Sequence, residues 1–273
     1  MQLSINTTVS FIALSIAGSA FAHISYTNRN FGTLTDVGSS INNQLVSSAY
    51  GWADATDADW GDTHRTRFFR FNVAADGTQV RIAVQRNANA SATGAQGTFL
   101  PAFSLYSGLA QVSSPLGHDG AALSVQWLTN TFGNTAGFGL GGSGKEGVLN
   151  ALGNWSVGNS VSDTIVDPAD VLRSFTYIGH AADGTADNYG AASGINGDGN
   201  ADGDVYAVFT LAAGDYSLSV GGADYAKQLT QTGPTFPTYG VNVSVGVVPA
   251  PGAVALLAIA GMAGSRRRKV GGA

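Results

Sequence analysis

The sequence has no cysteine, so no disulfide and no thiolate metal site can form in it. Before the C-terminal tail, lysine occurs only at Lys145 and Lys227, and glutamate only at Glu146. The residues that best clothe helix surfaces are thus nearly missing, which argues against a helical domain. Charged residues make up only 11% of the chain, yet a hydrophobic content of 44% excludes wholesale disorder. What is abundant is glycine, 38 residues of 273, together with Asn, Ser, Thr and Ala. Glycine and asparagine supply the positive-φ positions of tight turns, so the composition points to many short strands joined by turns.

Charge is unevenly placed. All eighteen acidic residues lie between Asp36 and Asp224, and the stretch from His23 to Gly246 holds only nine basic ones against them. A surface of this sign repels nucleic acid and anionic lipid headgroups and suits cations. No nucleic-acid partner is expected. Four of the thirteen basic residues are instead gathered at Arg266, Arg267, Arg268 and Lys269.

Both ends read as addresses. A mostly apolar run from Phe11 to Ala17 leads to Ala20-Phe21-Ala22, the small-residue pattern that signal peptidase accepts, with cleavage expected after Ala22. At the other end every residue from Ala253 to Ala263 is apolar or glycine, and the arginine cluster follows directly. This stretch is shorter than the ~20 residues that span a bilayer comfortably. The basic cluster would hold its end on the cytoplasmic side. Pro249 and Pro251 end any regular structure arriving from the domain before it.

Pro249-Ala250-Pro251-Gly252, a small apolar helix and Arg266-Arg267-Arg268 near the terminus together resemble a PEP-CTERM sorting domain. The resemblance covers about 25 residues. It implies transient inner-membrane anchoring, processing by an exosortase-type enzyme near the Pro-x-Pro motif, and release to the cell surface or exopolysaccharide matrix. Ala250 stands where that family usually carries glutamate, as in a VPAPG variant of the motif.

Between the ends, period-two alternation dominates. Arg67–Val73, Gln79–Gln85, Ala102–Ser107, Asp204–Leu211, Tyr216–Val220 and Tyr239–Val248 read as strands, with hairpin turns at Ala75-Asp76-Gly77 and Ala213-Gly214-Asp215. Val148–Trp155 and Pro168–Arg173 read as short helices, and Gly133–Gly144 as a long loop. The expected fold is mainly β, an antiparallel sandwich or jelly roll, with a signal helix before it and one hydrophobic helix after it. The expected organisation is a signal peptide at 1–22, a β ectodomain at 23–246 and a sorting tail at 247–273. The segments around Pro101-Ala-Phe-Ser-Leu-Tyr-Ser-Gly108, Phe175–His180 and Leu211–Asp224 resemble the β-sandwich ectodomains of pre-peptidase C-terminal type often joined to such tails. That resemblance carries a fold and little function.

Several constellations are candidates for chemistry. Asp198, Asn200, Asp202 and Asp204 alternate along the chain with Gly203 among them, like the first half of an EF-hand loop, and read either as a calcium loop or as a solvated Asn/Asp/Gly turn. The twelfth position of such a loop is Phe209 rather than an acid, so a full EF-hand is not expected. Asp54, Asp57, Asp59 and Asp62, interleaved with Trp52 and Trp60, read either as a cation or sugar site or as an acidic loop anchored by its tryptophans; the second is favoured. The histidines are His23, His64, His118 and His180. Cleavage after Ala22 would make His23 the mature amino terminus, where amine and imidazole together suit copper, as in lytic polysaccharide monooxygenases. Nothing else resembles that family. No G-x-S-x-G elbow is present, and the Gly139, Gly144, Lys145 spacing of a phosphate loop fails at Glu146. No Thr-x-Thr array supports an ice-binding face.

The sequence therefore leads to an exported, non-enzymatic surface or matrix protein. Its β domain is expected either to be stabilised by calcium or to carry no cofactor. The expected partners are an exosortase-type enzyme and, transiently, the inner membrane, with polysaccharide as a candidate matrix ligand. The alternative is an extracellular copper enzyme acting on polysaccharide through His23.

Overall fold

The computed structural model describes residues 24–35, 38–53, 60–90, 97–110, 122–132, 148–158, 166–185, 189, 194–195, 197–227 and 236–249. The segments read as a signal peptide (1–22) and as a sorting tail beyond Pro249, together with His23, His118 and the Gly133–Gly144 stretch, lie outside them. Twelve strands, one α-helix and a 3-10 turn at Tyr225–Lys227 are present among the described residues: β1 (Asn30–Thr33), β2 (Ser39–Ser47), β3 (Trp60–Asp62), β4 (Arg67–Val73), β5 (Thr78–Arg86), β6 (Pro101–Ser107), α1 (Ala122–Phe132), β7 (Val148–Asn150), β8 (Trp155–Gly158), β9 (Leu172–Ala182), β10 (Asp204–Leu211), β11 (Gly214–Gly222) and β12 (Thr238–Val247). None of their helices is long and apolar enough to cross a membrane.

A six-stranded sheet runs β1-β4-β11-β6-β9-β8 and a four-stranded sheet runs β10-β5-β12-β2, with β3 and β7 forming a separate pair. All pairings are antiparallel except β1 with β4. The mainly β expectation holds, and the six strands read from alternation are β4, β5, β6, β10, β11 and β12. The two sheets enclose a core of Phe69, Phe71, Val80, Ile82, Val84, Phe103, Leu105, Leu218, Val241 and Val243.

The two expected hairpins are not hairpins. β4 and β5 belong to different sheets, as do β10 and β11, so each turn is an arch that carries the chain across the sandwich. The arches are joined where Ala213 N donates to Asp76 Oδ1 at 2.7 Å. Turn chemistry is the same whether the following strand pairs with its predecessor or faces it across the core, so sequence alone does not separate the two cases.

Two further expectations are corrected. Val148–Trp155 forms strand β7 and the start of β8, and Leu172 and Arg173 open β9, so neither segment is a helix. In the first, Val148, Leu149 and Asn150 pair with Asp62, Gly61 and Trp60, and this pairing overrides weak local helix propensity. The helix that does form, α1, lies where no helix was expected. It packs on β8, with Gly158 N donating to Ser124 Oγ at 2.6 Å.

The six-stranded sheet is buried on both faces. Phe68 and Phe69 are consecutive in β4, yet Phe69 enters the sandwich core and Phe68 a second, aromatic core on the opposite face. That second core holds Trp52, Tyr106, Trp155, Phe175 and Tyr225, roofed by the segments around 49–53 and 148–152. Its rings interlock: Trp155 stacks on Phe175 at 4.6 Å and meets Tyr106 edge-on at 6.2 Å.

Candidate functional site

The roofed face of the six-stranded sheet collects the polar and titratable groups with the most unusual settings. It begins with a bulge in β9. Leu105 pairs with Gly179 but Tyr106 pairs with Tyr177, so Ile178 is the extra residue. The bulge puts Tyr177 and His180, three apart in sequence, on the same face. The Tyr177 hydroxyl lies 2.5 Å from His180 Nδ1. Gly179 points the other way, into the sandwich, where a Cβ would come within 2.8 Å of Phe209 Cε1.

His180 is half-buried and its ring lies 5.5 Å from that of Trp52, tilted by 44°. Burial holds the imidazole below its ordinary value of 6.5, favouring the neutral ring. Burial likewise pushes the Tyr177 hydroxyl up to about 12, so it remains protonated. Trp52 is fully buried and donates from Nε1 to Ser104 Oγ at 2.8 Å; Ser104 Oγ in turn donates to the Ala151 carbonyl at 2.5 Å. Tyr106 closes the same roof by donating to the Asn150 carbonyl at 2.6 Å. Imidazole, phenol and indole are thus held by fixed hydrogen bonds inside an aromatic wall.

A second group flanks Trp52 in the chain. Asp62 is buried and ion-paired with Arg65, Nε to Oδ2 at 2.7 Å, and its Oδ1 accepts from the His64 backbone N–H at 2.8 Å. His64 Nδ1 lies 3.2 Å from the same oxygen. The Arg65 guanidinium sits over the rings of Tyr50, at 4.6 Å, and Phe236, at 3.8 Å. Of the acidic group read from the sequence, Asp62 is therefore a paired structural carboxylate and Trp52 a core residue, which is the anchoring alternative. Asp54, Asp57 and Asp59 lie outside the described residues, as does the side chain of Trp60.

The expected calcium loop has a different construction. Asp198 Oδ1 accepts from the backbone N–H of Asn200 at 3.1 Å and of Gly184 at 3.2 Å. Asp202 Oδ1 accepts from Asp204 N at 3.0 Å, and Asp204 Oδ2 accepts from Gln85 Nε2 at 2.9 Å. These are turn-forming bonds between carboxylates and the chain itself. Among the described residues no three His, Asp or Glu side chains converge as a metal site. The residue the loop wraps is one the sequence reading missed, Asp183. It is buried, and its two oxygens accept from Asp202 N at 3.1 Å and from Gly203 N at 2.7 Å, where Gly203 adopts φ +89°. Burial pushes the Asp183 carboxyl up to about 6, against the two backbone donors that favour its charged form. Only the Ala-Ala-Asp-Gly at 181–184, a strand end running into a turn, hints at it in the sequence.

No family model and no curated protein matches the sequence. Among solved structures, the chain is similar to CorA of Methylomicrobium album BG8, described as a surface-associated copper-binding protein important in copper acquisition. The identity is 18% over 83% of this chain and 99% of that one, with a TM-score of 0.46. It is also similar to MopE of Methylococcus capsulatus, described as a secreted protein in which an oxidized tryptophan facilitates copper binding. There the identity is 17% over 81% of this chain and 87% of that one, with a TM-score of 0.42. The calcium expectation for Asp198, Asn200, Asp202 and Asp204 is overturned: the carboxylates of Asp198 and Asp202 accept from backbone N–H groups, and among the described residues no three acidic side chains converge there.

Proposed function

We propose that this protein is an exported, non-enzymatic binding protein of the cell surface or extracellular matrix. In this reading the signal segment is removed after Ala22. The tail from Pro249 to the arginines at 266–268 then holds the chain at the inner membrane until an exosortase-type enzyme releases it. The observation that supports a binding role is the second aromatic core. The sandwich already has a complete core between its sheets, yet the opposite face of one sheet is roofed as well, and half-buried His180 and Tyr177 are set into it. Titratable groups fixed by hydrogen bonds against a buried aromatic cluster are candidates for a functional site. Fractionation of cells expressing the full chain, with protease shaving of intact cells, tests the reading: the domain should be found outside. Retention in the cytoplasm with the leader uncut would refute it.

A second reading gives the same exported domain a copper ion. It is favoured by His180, whose ring is kept neutral by burial and oriented by Tyr177, the state in which an imidazole ligates metal. The described residues offer the imidazoles of His64 and His180 and no complete ligand set; His23 and His118 would have to supply the rest. Copper content of the exported protein, compared between wild type and His180→Ala, tests it. Stoichiometric copper lost in the variant supports this reading, and an exported protein without copper rejects it.

A further inference from the structure

A cleft on the roofed face has no part in the cluster around His180. Two cavities, of about 590 and 250 Å³, adjoin at the end of the six-stranded sheet and share Leu109 and Asp215 in their walls. Ser107, Arg173 and Ser174 line the larger; Asn30, Arg70 and Asn72 line the smaller. Each cavity thus has one arginine in its wall, and Asp215 is common to both.

The charges in this cleft are not matched with one another. Among the described residues the carboxylate ion pairs are those of Asp62 and Asp224, and neither Arg70 nor Arg173 takes part. Asp215 accepts instead from Asn72 Nδ2 at 2.9 Å. Arg70 Nε is buried without a hydrogen-bond partner, and its guanidinium lies 5.8 Å from the Tyr26 ring. The neighbouring Arg29, whose carbonyl accepts from Arg70 N at 3.0 Å, turns its guanidinium to the Ser25 and Phe68 carbonyls. Neither Arg70 nor Arg173 is neutralised by a carboxylate among the described residues, so the charge of both is left to an incoming anion. The position is all the more notable because acidic residues outnumber basic ones two to one across the domain.

We infer that this cleft binds a carboxylated polysaccharide, a uronate-bearing chain. Arg70 and Arg173 each receive a sugar carboxylate in the planar, forked geometry that guanidinium offers. Asn30, Asn72, Ser107, Ser174 and Asp215 are the hydroxyl-binding groups between them. Cations spaced across a polar, open-sided cleft suit a polymer whose charge repeats along its length, whereas a neutral glycan would leave both guanidiniums unanswered. The inference rests on the proposed matrix location and names what the protein would hold there.

The test uses the purified full chain, an alginate oligosaccharide as the acidic probe and dextran as the neutral one, by titration calorimetry at low salt. Alginate should bind saturably and dextran should not. Arg70→Met and Arg173→Met should each weaken alginate binding by at least about tenfold, with the loss reduced at high salt where charge is screened. Arg173 is exposed, so its variant keeps the test valid if the Arg70 change unfolds the protein. Absence of alginate binding by the folded wild type, equal binding of dextran, or unchanged affinity in Arg173→Met would overturn the inference. Because binding is read on purified protein and location on cells, a failure of one leaves the other standing.

Discussion

The Tyr177 hydroxyl meets Nδ1 of His180 because one extra residue, Ile178, bulges out of β9 between them. The bond fixes the imidazole against Trp52 and ties together phenol, imidazole and indole on a face that a plain sandwich would leave to solvent. Tyr177→Phe removes the hydroxyl and keeps the ring. We expect a loss of about 0.5–1.5 kcal/mol in unfolding free energy by urea denaturation, the ordinary size of one hydrogen bond.

His180 should also leave a mark on pH dependence. Its folded value lies below 6.5, so as pH falls through that point the unfolded chain takes up a proton that the native ring resists. The native state therefore loses stability on acidification below about pH 6.5. Urea midpoints at pH 7.5 and 5.5 should differ by less in His180→Gln than in wild type; an unchanged difference would mean the ring is not buried as described.

Asp183 should act in the opposite direction. Its carboxyl is raised from 3.8 to about 6, so the native state holds a proton that the unfolded chain releases. The resulting stabilisation is full below the unfolded value and is lost as pH rises from about 4 to about 6. Asp183→Asn should abolish that slope. It should also lower stability overall, since one of the two oxygens that receive Asp202 N and Gly203 N becomes an amide nitrogen.

Gly179 marks the sandwich side of the same bulge. A Cβ there would sit 2.8 Å from Phe209 Cε1, a ring that packs edge-on against Phe103. Gly179→Val should destabilise by about 1–3 kcal/mol through overpacking, read as a lower urea midpoint with an unchanged denaturant slope.

With Asp198 and Asp202 bonded to backbone N–H groups and no three acidic side chains converging among the described residues, we expect no calcium stabilisation at that loop. Melting temperature should be the same in millimolar calcium and in chelator. A rise of several degrees with calcium would show mass-action stabilisation by a bound ion.

Much of the fold was legible in single strands. Alternation located β4, β5, β6, β10, β11 and β12 because each has at least one face in a core. What lay beyond it was the partner of each strand. Asp76-Gly77 and Gly214-Asp215 are turn sequences in an arch as much as in a hairpin, and only the core between β4 and β5 distinguishes them. The second core left a signal that alternation does not read: Phe68-Phe69 side by side, and β6 buried on both faces through Tyr106. Helix α1 was missed because Ala122–Phe132 is rich in Thr, Val, Asn and Trp, weak helix formers held by packing on β8. Of the candidate residues, His180 and Trp52 were visible as types but not as neighbours. Their contact depends on a bulge and on a roof that crosses from residue 52 to residue 180.

The central claim, export to the surface, is tested most directly by the intact mass of the protein recovered from the outside of cells expressing the full chain. The account predicts a species that begins at His23 and has lost the arginine cluster at 266–268. A protein found only in the cytoplasm, with Met1 to Ala22 still attached, would contradict it.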